Sequence, residues 1–303
     1  MFRIQLITIL FFFPLFFYAQ QTPICQLSGD TLFPMARLTA FKVDNTWQKS
    51  LTDVQTDSTF TPMTHDIYKM GGTNPRNIWV KFQIKKETTK EAYLELNTGI
   101  TDTLILYAID SQGTIYTQRI GKNFAFSERH IKTNRQVFSL MGEKDALMTY
   151  YLNMKSQFPV SIRMRVGTVG AFSVENHASD LLHGIFVGII FIVALFNLFF
   201  FISSREWFYG FYVGYAVFIL GTVLRFDGYL FQYLHPNFPA FNNVGFYFHG
   251  LAGVFGIFFS RNFLKTKQHT PRLDKGLLFF MAFYVLNIGL AAVGLYELNI
   301  LSV

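Results

Sequence analysis

The feature that most limits the fold is an apolar run from Leu181 to Ile202, which contains no Asp, Glu, Lys or Arg. As an α-helix its 22 residues extend about 33 Å, enough to cross a bilayer core about 30 Å thick. One buried helix of a large soluble protein is the alternative. Three further apolar segments, at 207–224, 241–259 and 277–296, favour a membrane domain with four transmembrane helices over 181–303.

Charge is distributed unevenly along the 303 residues. Residues 21–180 hold 18 of the 26 Lys and Arg, whereas 181–303 hold 7, so the first part has the composition of an ordinary globular domain. This change in composition near residue 180 predicts two domains, of which the first covers residues 21–176. The net charge of +7 comes without an arginine-rich tract, and we predict no nucleic-acid partner.

The N-terminus predicts export of the chain. Arg3 precedes an apolar stretch over 4–18 that is too short for a comfortable span and matches a signal peptide, assigned to 1–20. Cys25 is the single cysteine, so the chain has no internal disulfide. Lipid attachment at Cys25 is a minor alternative, because the preceding "TPI" lacks the small residue that such sites carry.

The first domain alternates apolar and polar residues with a period of two. In "NIWVKFQIK" the residues Ile78, Val80, Phe82 and Ile84 share one face. Seven such runs lie at 77–85, 92–97, 102–110, 114–120, 135–141, 148–155 and 160–166. Short strands with turn residues between them predict an all-β sandwich of jelly-roll or Greek-key type. Residues 27–75 give no clear pattern.

The loops between the apolar segments predict the orientation in the membrane. With the sandwich outside, the links 203–206 and 260–276 lie inside and carry six basic residues, Arg205, Arg261, Lys265, Lys267, Arg272 and Lys275. The outer loop 225–240 carries Arg225 alone. This bias satisfies the positive-inside rule and predicts that the N-terminal domain lies outside the cytoplasm. In a bacterium, that topology corresponds to the inner membrane with a periplasmic N-terminal domain.

Several residues of the membrane domain are candidates for helix packing and coupling. Gly184 and Gly188 permit close helix approach, and Asn197 is expected to hydrogen-bond a neighbouring helix. Arg225 and Asp227, at the outer end of the second span, either contact the sandwich and transmit its state or form a solvated loop pair.

Two histidines raise a different class of function. His183 lies at the outer end of the first span and is expected at the interface, and His249 lies deeper in the third. Two histidines that face the interior of a helix bundle can ligate haem, as in membrane electron carriers. A haem-binding electron carrier is therefore a less favoured alternative function. We predict no resident cofactor and no metal site.

Two parts of the chain resemble one receptor family. The segments "NIWVKFQI", "TLILYAIDSQGTI" and "IGKNFAFSERHIKTNRQVFSL" resemble the second extracellular domain type of the bacterial seven-transmembrane receptors with diverse intracellular signalling modules. Residues 181–234, with their spaced glycines, an Asn-Leu pair and a tyrosine-rich second helix, resemble the start of that family's membrane domain.

The resemblance implies a receptor that binds carbohydrates or related small ligands and acts on a cytoplasmic kinase, cyclase or DNA-binding module. The family has seven helices followed by such a module, whereas four spans are predicted here. We therefore expect a fragment, a truncated gene or a bundle that another chain completes.

Aromatic residues on the polar faces of strands are candidates for ligand binding. Trp79, Tyr93 and Tyr151 have this pattern, and rings flanked by polar groups, here including Arg163 and Arg165, suit sugars. The alternative is that residues 27–75 or the membrane-proximal loop cover these rings.

No catalytic constellation is visible, and we predict that the chain is not an enzyme. The predicted mechanism is coupling: a ligand shifts the contact of the sandwich with the outer loops and biases two helix arrangements. A homodimer is a possible assembly within the bilayer. A transporter or export accessory protein is the alternative function.

Overall fold

The computed structural model describes residues 23–30, 32–70, 76–97, 101–156 and 160–292. The predicted signal peptide at 1–20 lies outside this range, as does the end of the fourth predicted span. A β-rich domain is followed by a helical domain with four helices long and apolar enough to cross a membrane. This architecture confirms the predicted fold class.

Thirteen strands are described. They are β1 Ile24–Leu27, β2 Leu32–Pro34, β3 Thr39–Val43, β4 Thr61–Pro62, β5 Tyr68–Met70, β6 Arg76–Lys86, β7 Ala92–Leu96, β8 Thr103–Ile109, β9 Ile115–Ile120, β10 Gln136–Ser139, β11 Leu147–Ser156, β12 Val160–Ile162 and β13 Met164–Thr168. The helices are α1 Leu51–Thr56, α2 Val169–Ser204, α3 Trp207–Phe226, α4 Tyr229–Tyr233, α5 Gly245–Phe263, α6 Thr266–His269 and α7 Pro271–Ala292.

Two sheets enclose the core of the β-domain. The first has the order β4-β3-β6-β11-β8-β9, with β1 added in parallel beside β6, and the second has the order β10-β7-β13-β2. Strand β6 is long enough to pair with β3 at one end and β1 at the other. Side chains of both sheets form one buried cluster, in which the rings of Phe82 and Tyr150 stack at 5.2 Å.

The alternation predicted for β6 is present. Ile78, Val80, Phe82 and Ile84 are all buried in the core cluster. The run predicted at 160–166, in contrast, is two strands, because β12 pairs with β5 and β13 pairs with β7. The chain changes partner at Arg163, whose carbonyl accepts a hydrogen bond from the Asn97 amide at 2.9 Å.

Helix α2 follows the last strand without a linker. Thr168 ends β13 and caps α2, its hydroxyl accepting from the Ala171 amide at 3.4 Å. The helix therefore begins twelve residues before the predicted span and continues for 36 residues, about 54 Å. Most apolar side chains of its second half are exposed, as expected of a lipid-facing surface.

The helices pack in chain order, α2 on α3, α3 on α5 and α5 on α7. Glycines allow the close approaches of α5. A Cβ at Gly253 would lie 2.5 Å from the Tyr284 ring of α7, and one at Gly214 of α3 would lie 2.3 Å from the Phe255 ring. Substitution of either glycine would push the helices apart.

The glycines of α2 have open surroundings. A Cβ at Gly184 or Gly188 would meet no heavy atom within 4 Å among the described residues. The role of these two glycines in admitting a neighbouring helix therefore stays a prediction.

Candidate functional site

The aromatic candidates of the first sheet are covered. Trp79 and Tyr151 are 2% and 5% exposed and form a small apolar cluster with Val54 of α1. The ring of Tyr107 stacks on Trp79 at 5.9 Å, and Phe60 meets Tyr151 edge to face. Val54 and Phe60, together with Tyr107, thus cover these rings, which leaves Trp79 and Tyr151 almost inaccessible to solvent. This arrangement agrees with the alternative that the rings are covered.

The other candidates lie elsewhere. Tyr93 belongs to the second sheet, and its hydroxyl donates to the Glu91 carboxylate at 3.3 Å. Arg163 is exposed where β12 gives way to β13. Arg165 is bound within the protein, since its guanidinium pairs with Glu95 of β7 and Glu175 of α2. The five predicted ligand residues therefore do not form one surface.

Arg135 connects the second sheet to the part of α2 that precedes the predicted membrane span. Its guanidinium lies 2.9 Å from Asp180 of α2 and 3.5 Å from Glu95 of β7. Glu95 also accepts from Arg165 at 3.0 Å, so two arginines share one buried carboxylate. Charge-assisted bonds of this kind fix geometry more firmly than neutral ones, and they hold the start of α2 against the sandwich.

The segment after α3 is the second point of contact. The Asn134 amide donates to the backbone carbonyl of Asp227 at 2.8 Å. Gly228 follows with φ of +79°, and a Cβ there would lie 2.6 Å from the Asn134 carbonyl oxygen. Glycine is required at this position both for its left-handed backbone and for the close approach.

Two backbone carbonyls complete this contact. The Phe126 amide donates to Pro236 at 2.6 Å, and the Asn242 side chain donates to Lys122 at 3.0 Å. Arg225 in turn donates to the Asn242 carbonyl at 3.1 Å. Asp227 therefore contacts the sandwich directly and Arg225 is linked to it through Asn242, while transmission of a signal by this pair stays a prediction.

His183, Asp227 and Tyr229 meet at this surface. The His183 Nε2 atom lies 3.1 Å from an Asp227 carboxylate oxygen, although off the direction of a hydrogen bond, and its ring is 5.3 Å from Tyr229. Burial raises the pKa of Asp227, while His183 and Arg135 act in the opposite direction. The protonation state of Asp227 is thus linked to the contact between the domains.

A cavity of about 210 Å³ lies between the sandwich and the outer helix ends. Its lining includes the residues Asn97, Arg129, Asn134, Arg135, Gln136, Asp180, His183, Asp227, Tyr229, Phe231 and Asn242. Both domains therefore contribute polar, charged and aromatic residues to one partly open cavity. We call this cavity and the contacts around it the interface site.

The polar candidates inside the membrane domain lie away from the interface site. Asn197 donates to the Val193 carbonyl at 2.8 Å, within its own helix. A helical amide can reach the carbonyl four residues before it, so among the described residues this donor serves its own helix, and the bond to a neighbouring helix stays a prediction. His249 packs its ring against Tyr284 at 6.1 Å, and His183 faces Asp227, so the two histidines have separate surroundings.

Sequence reasoning missed most of the interface site. Arg129, Asn134 and Arg135 belong to the segment "SERHIKTNRQV", whose local pattern indicates only a loop before a strand. Its density of donors over 127–137 was the available signal. From the sequence alone, Asp180 is only the residue at a change of composition and Glu95 only an outward position of a strand. Their partner Arg135 is 45 and 40 positions away, and local pattern contains no information on contacts over such distances.

A β-sandwich fixed to the outer ends of apolar helices defines an integral membrane protein with a folded domain on one side of the bilayer. The family described as 7TMR-DISM extracellular 2 matches residues 37–168, and the family described as 7TM diverse intracellular signalling matches residues 179–303. The chain belongs to the seven-transmembrane receptors with diverse intracellular signalling, and the predicted resemblance is confirmed.

Further comparisons add little. Among curated proteins none matches this chain. The solved structure of TmCBM61 in complex with β-1,4-galactotriose is similar over 47% of this chain and 90% of that chain, at 5% identity. Its TM-score of 0.24 is too low to support a conclusion about fold or ligand.

Proposed function

We propose that this protein is a non-enzymatic membrane sensor that converts ligand binding on the sandwich side into a movement of its helices. The interface site is the observation that carries the proposal. Asp180, Asp227 and Gly228 of the helical domain are held by Arg135 and Asn134 of the sandwich. A ligand that alters these contacts biases the helices, provided its affinity differs between the two arrangements.

The cavity of the interface site is the proposed ligand position. Amides of Asn97, Asn134 and Asn242 and the rings of Tyr229 and Phe231 line it. Hydroxyl groups pair with amides, and the C–H faces of a sugar ring pack on aromatic rings, so a carbohydrate-like ligand fits this lining. Both domains touch the same ligand, which gives it a direct effect on their relative position.

The proposed membrane is the bacterial inner membrane, with the sandwich in the periplasm. The exposed basic residues Lys265, Lys267, Arg272 and Lys275 lie at the opposite ends of the helices from the interface site, as the positive-inside rule requires of cytoplasmic loops. A cytoplasmic signalling module of kinase, cyclase or DNA-binding type is the proposed receiver of the signal.

A fluorescent probe on the cytoplasmic side tests this function. Gln268→Cys places one exposed thiol in the loop between α5 and α7, whereas burial raises the pKa of the Cys25 thiol to about 12 and keeps it unreactive. In nanodiscs, a panel of neutral and acidic mono- and disaccharides is added while probe emission and melting temperature are recorded. At least one sugar is expected to change both.

Gly228→Ala supplies the coupling control. Its Cβ would clash with Asn134, so the sugar-induced change in emission should be lost. The matched variant Gly113→Ala has the same left-handed strain, at φ +86°, but meets nothing within 4 Å and should keep the response. Sugar binding with unchanged emission in the unsubstituted protein would contradict the sensor function, and no stabilisation by any sugar would contradict the ligand class.

A further inference from the structure

Arg129 is a buried cation on the wall of the interface cavity. Its residue is 8% exposed, and burial lowers the pKa of its guanidinium to about 10, which leaves it charged at neutral pH. A buried charge is strongly destabilising unless an opposite charge and hydrogen bonds compensate it. The groups around Arg129 therefore decide whether its charge is compensated.

The protein itself gives Arg129 neutral partners. One terminal nitrogen donates to the carbonyls of Thr133 and Arg135, at 2.9 and 3.1 Å. The guanidinium lies over the rings of Phe126 and Phe231, at 4.8 and 5.4 Å from their centroids. Its Nε atom is buried without a hydrogen-bond partner, and no carboxylate of the described residues forms an ion pair with it.

The other lysine and arginine of the cavity lining are already paired. Lys122 lies 2.6 Å from Asp102, and Arg135 bridges Glu95 and Asp180. The Asp227 carboxylate lies 3.1 Å from the His183 ring. Within the part of the chain that the structure describes, Arg129 is thus the cavity cation that lacks an anion.

We propose that the interface cavity binds an oxyanion, a carboxylate or phosphate group of its occupant, as the counterion of Arg129. The planar guanidinium presents donors in the geometry that both groups accept. Phe126 and Phe231 keep it oriented, and the amides of Asn97, Asn134 and Asn242 can bind the remainder of the occupant. The inference rests on the proposed function and narrows its carbohydrate-like ligand to one that carries an acidic group.

Two sources supply this chemistry. One is a soluble acidic sugar, and the other is the phosphate of a lipid headgroup, because the cavity lies at the outer ends of α2 and α3. The experiments therefore have to distinguish a soluble acidic sugar from a lipid phosphate. They also have to distinguish binding of either ligand from transmission of a signal.

The test uses the full chain in a maltoside detergent, which contains no phosphate. Galacturonate, galactose and inorganic phosphate are titrated while the melting temperature is recorded. Galacturonate or phosphate should stabilise the protein at concentrations about tenfold or more below galactose, since a bond to a charged group adds this much affinity. Arg129→Gln should abolish the difference. Arg119→Gln, which removes an exposed arginine that also lies over a phenylalanine, should preserve it.

Phospholipid tests the second source. If a headgroup occupies the cavity, purified protein should retain a bound lipid with a shifted ³¹P NMR signal, and galacturonate should displace it. That signal should be lost in Arg129→Gln and kept in Arg119→Gln. Arg129→Lys retains a cation and should keep a weakened preference for galacturonate over galactose, which separates loss of charge from misfolding.

Equal effects of galacturonate and galactose, with no bound lipid signal, would overturn the inference. A preference for galacturonate that survives in folded Arg129→Gln would overturn it as well. Anion binding that leaves the cytoplasmic probe at position 268 unchanged would contradict the sensor function and leave the anion site standing.

Discussion

At the scale of single residues, Asp227 has the most informative environment in the interface site. Its carbonyl accepts from Asn134, and its carboxylate, partly buried, faces His183. Because burial raises its pKa above the unfolded value of 3.8, the folded protein binds this proton more tightly than the unfolded chain does. The stability that Asp227 contributes is therefore largest at low pH and declines as the pH rises through its folded-state pKa.

Asp227→Asn, which is neutral at every pH, tests this dependence. Relative to the unsubstituted protein, its melting temperature should rise as the pH increases from about 4 to about 7. Asp110→Asn is a matched control of opposite sign, since bonds from the Thr114 and Gln112 amides lower the pKa of Asp110. Its relative melting temperature should fall as the pH rises towards the unfolded value of 3.8 and should be level well above that value. Parallel pH profiles of all three proteins would exclude the assignment.

At the scale of elements, the link between α5 and α7 is held by one buried cluster. Arg261 binds both carboxylate oxygens of Asp274, at 2.8 and 3.0 Å, and the Thr266 hydroxyl donates to the same group at 2.7 Å. Helix α6 supplies Thr266, so three helices meet at one side chain. This cluster fixes the conformation of the basic loop between α5 and α7.

Asp274→Ala leaves Arg261 without its counterion and should destabilise the helical domain. The measurement is unfolding by SDS in mixed micelles. The double variant Arg261→Met with Asp274→Leu removes both charges and should recover much of that loss, because no charge remains unpaired. The pair is not coupled if the double variant loses as much stability as Arg261→Met alone and Asp274→Leu alone lose in sum.

Elements with strong local periodicity were predictable from the sequence, and those defined by partners were not. Strand β6 is visible because Ile78, Val80 and Phe82 repeat every two residues. The break between β12 and β13 is invisible, because the apolar alternation runs through Arg163 while the pairing partner changes. Strands β1 to β5 are short and were missed, since their order comes from pairing with longer strands.

In the candidate site, too, features of local pattern were predictable and contacts between distant residues were not. Aromatic rings on polar strand faces indicated a binding surface, but Trp79 and Tyr151 instead anchor α1 and the loop after it. The residues that do meet, such as Asn134 and Asp227, are 93 positions apart. Local pattern contains no information on such a pair. Arg225, Asp227 and His183 were predictable as polar groups at the outer ends of apolar spans, whereas their partners in the sandwich were not.

At the scale of the whole molecule, the contact of the sandwich with residues 227–242 determines which loops share a side of the membrane. Cysteines that replace two exposed glutamines test this. Gln112→Cys in the turn after β8 should react with a membrane-impermeant maleimide on intact cells. Gln268→Cys should react after permeabilisation. Equal labelling of both on intact cells would be incompatible with the arrangement.

The direct passage of β13 into α2 also limits how this protein can change in length. Each residue added to a helix turns everything beyond it by about 100°, so one insertion between Thr168 and Asp180 would rotate the helical domain relative to the sandwich and separate Asp180 and Asp227 from Arg135 and Asn134. Two insertions would almost reverse its orientation. Seven insertions, close to two full turns, would nearly restore it. Insertions and deletions over 169–180 in related receptors should therefore come in multiples that preserve helical phase, whereas the loops of the sandwich are free of this rule.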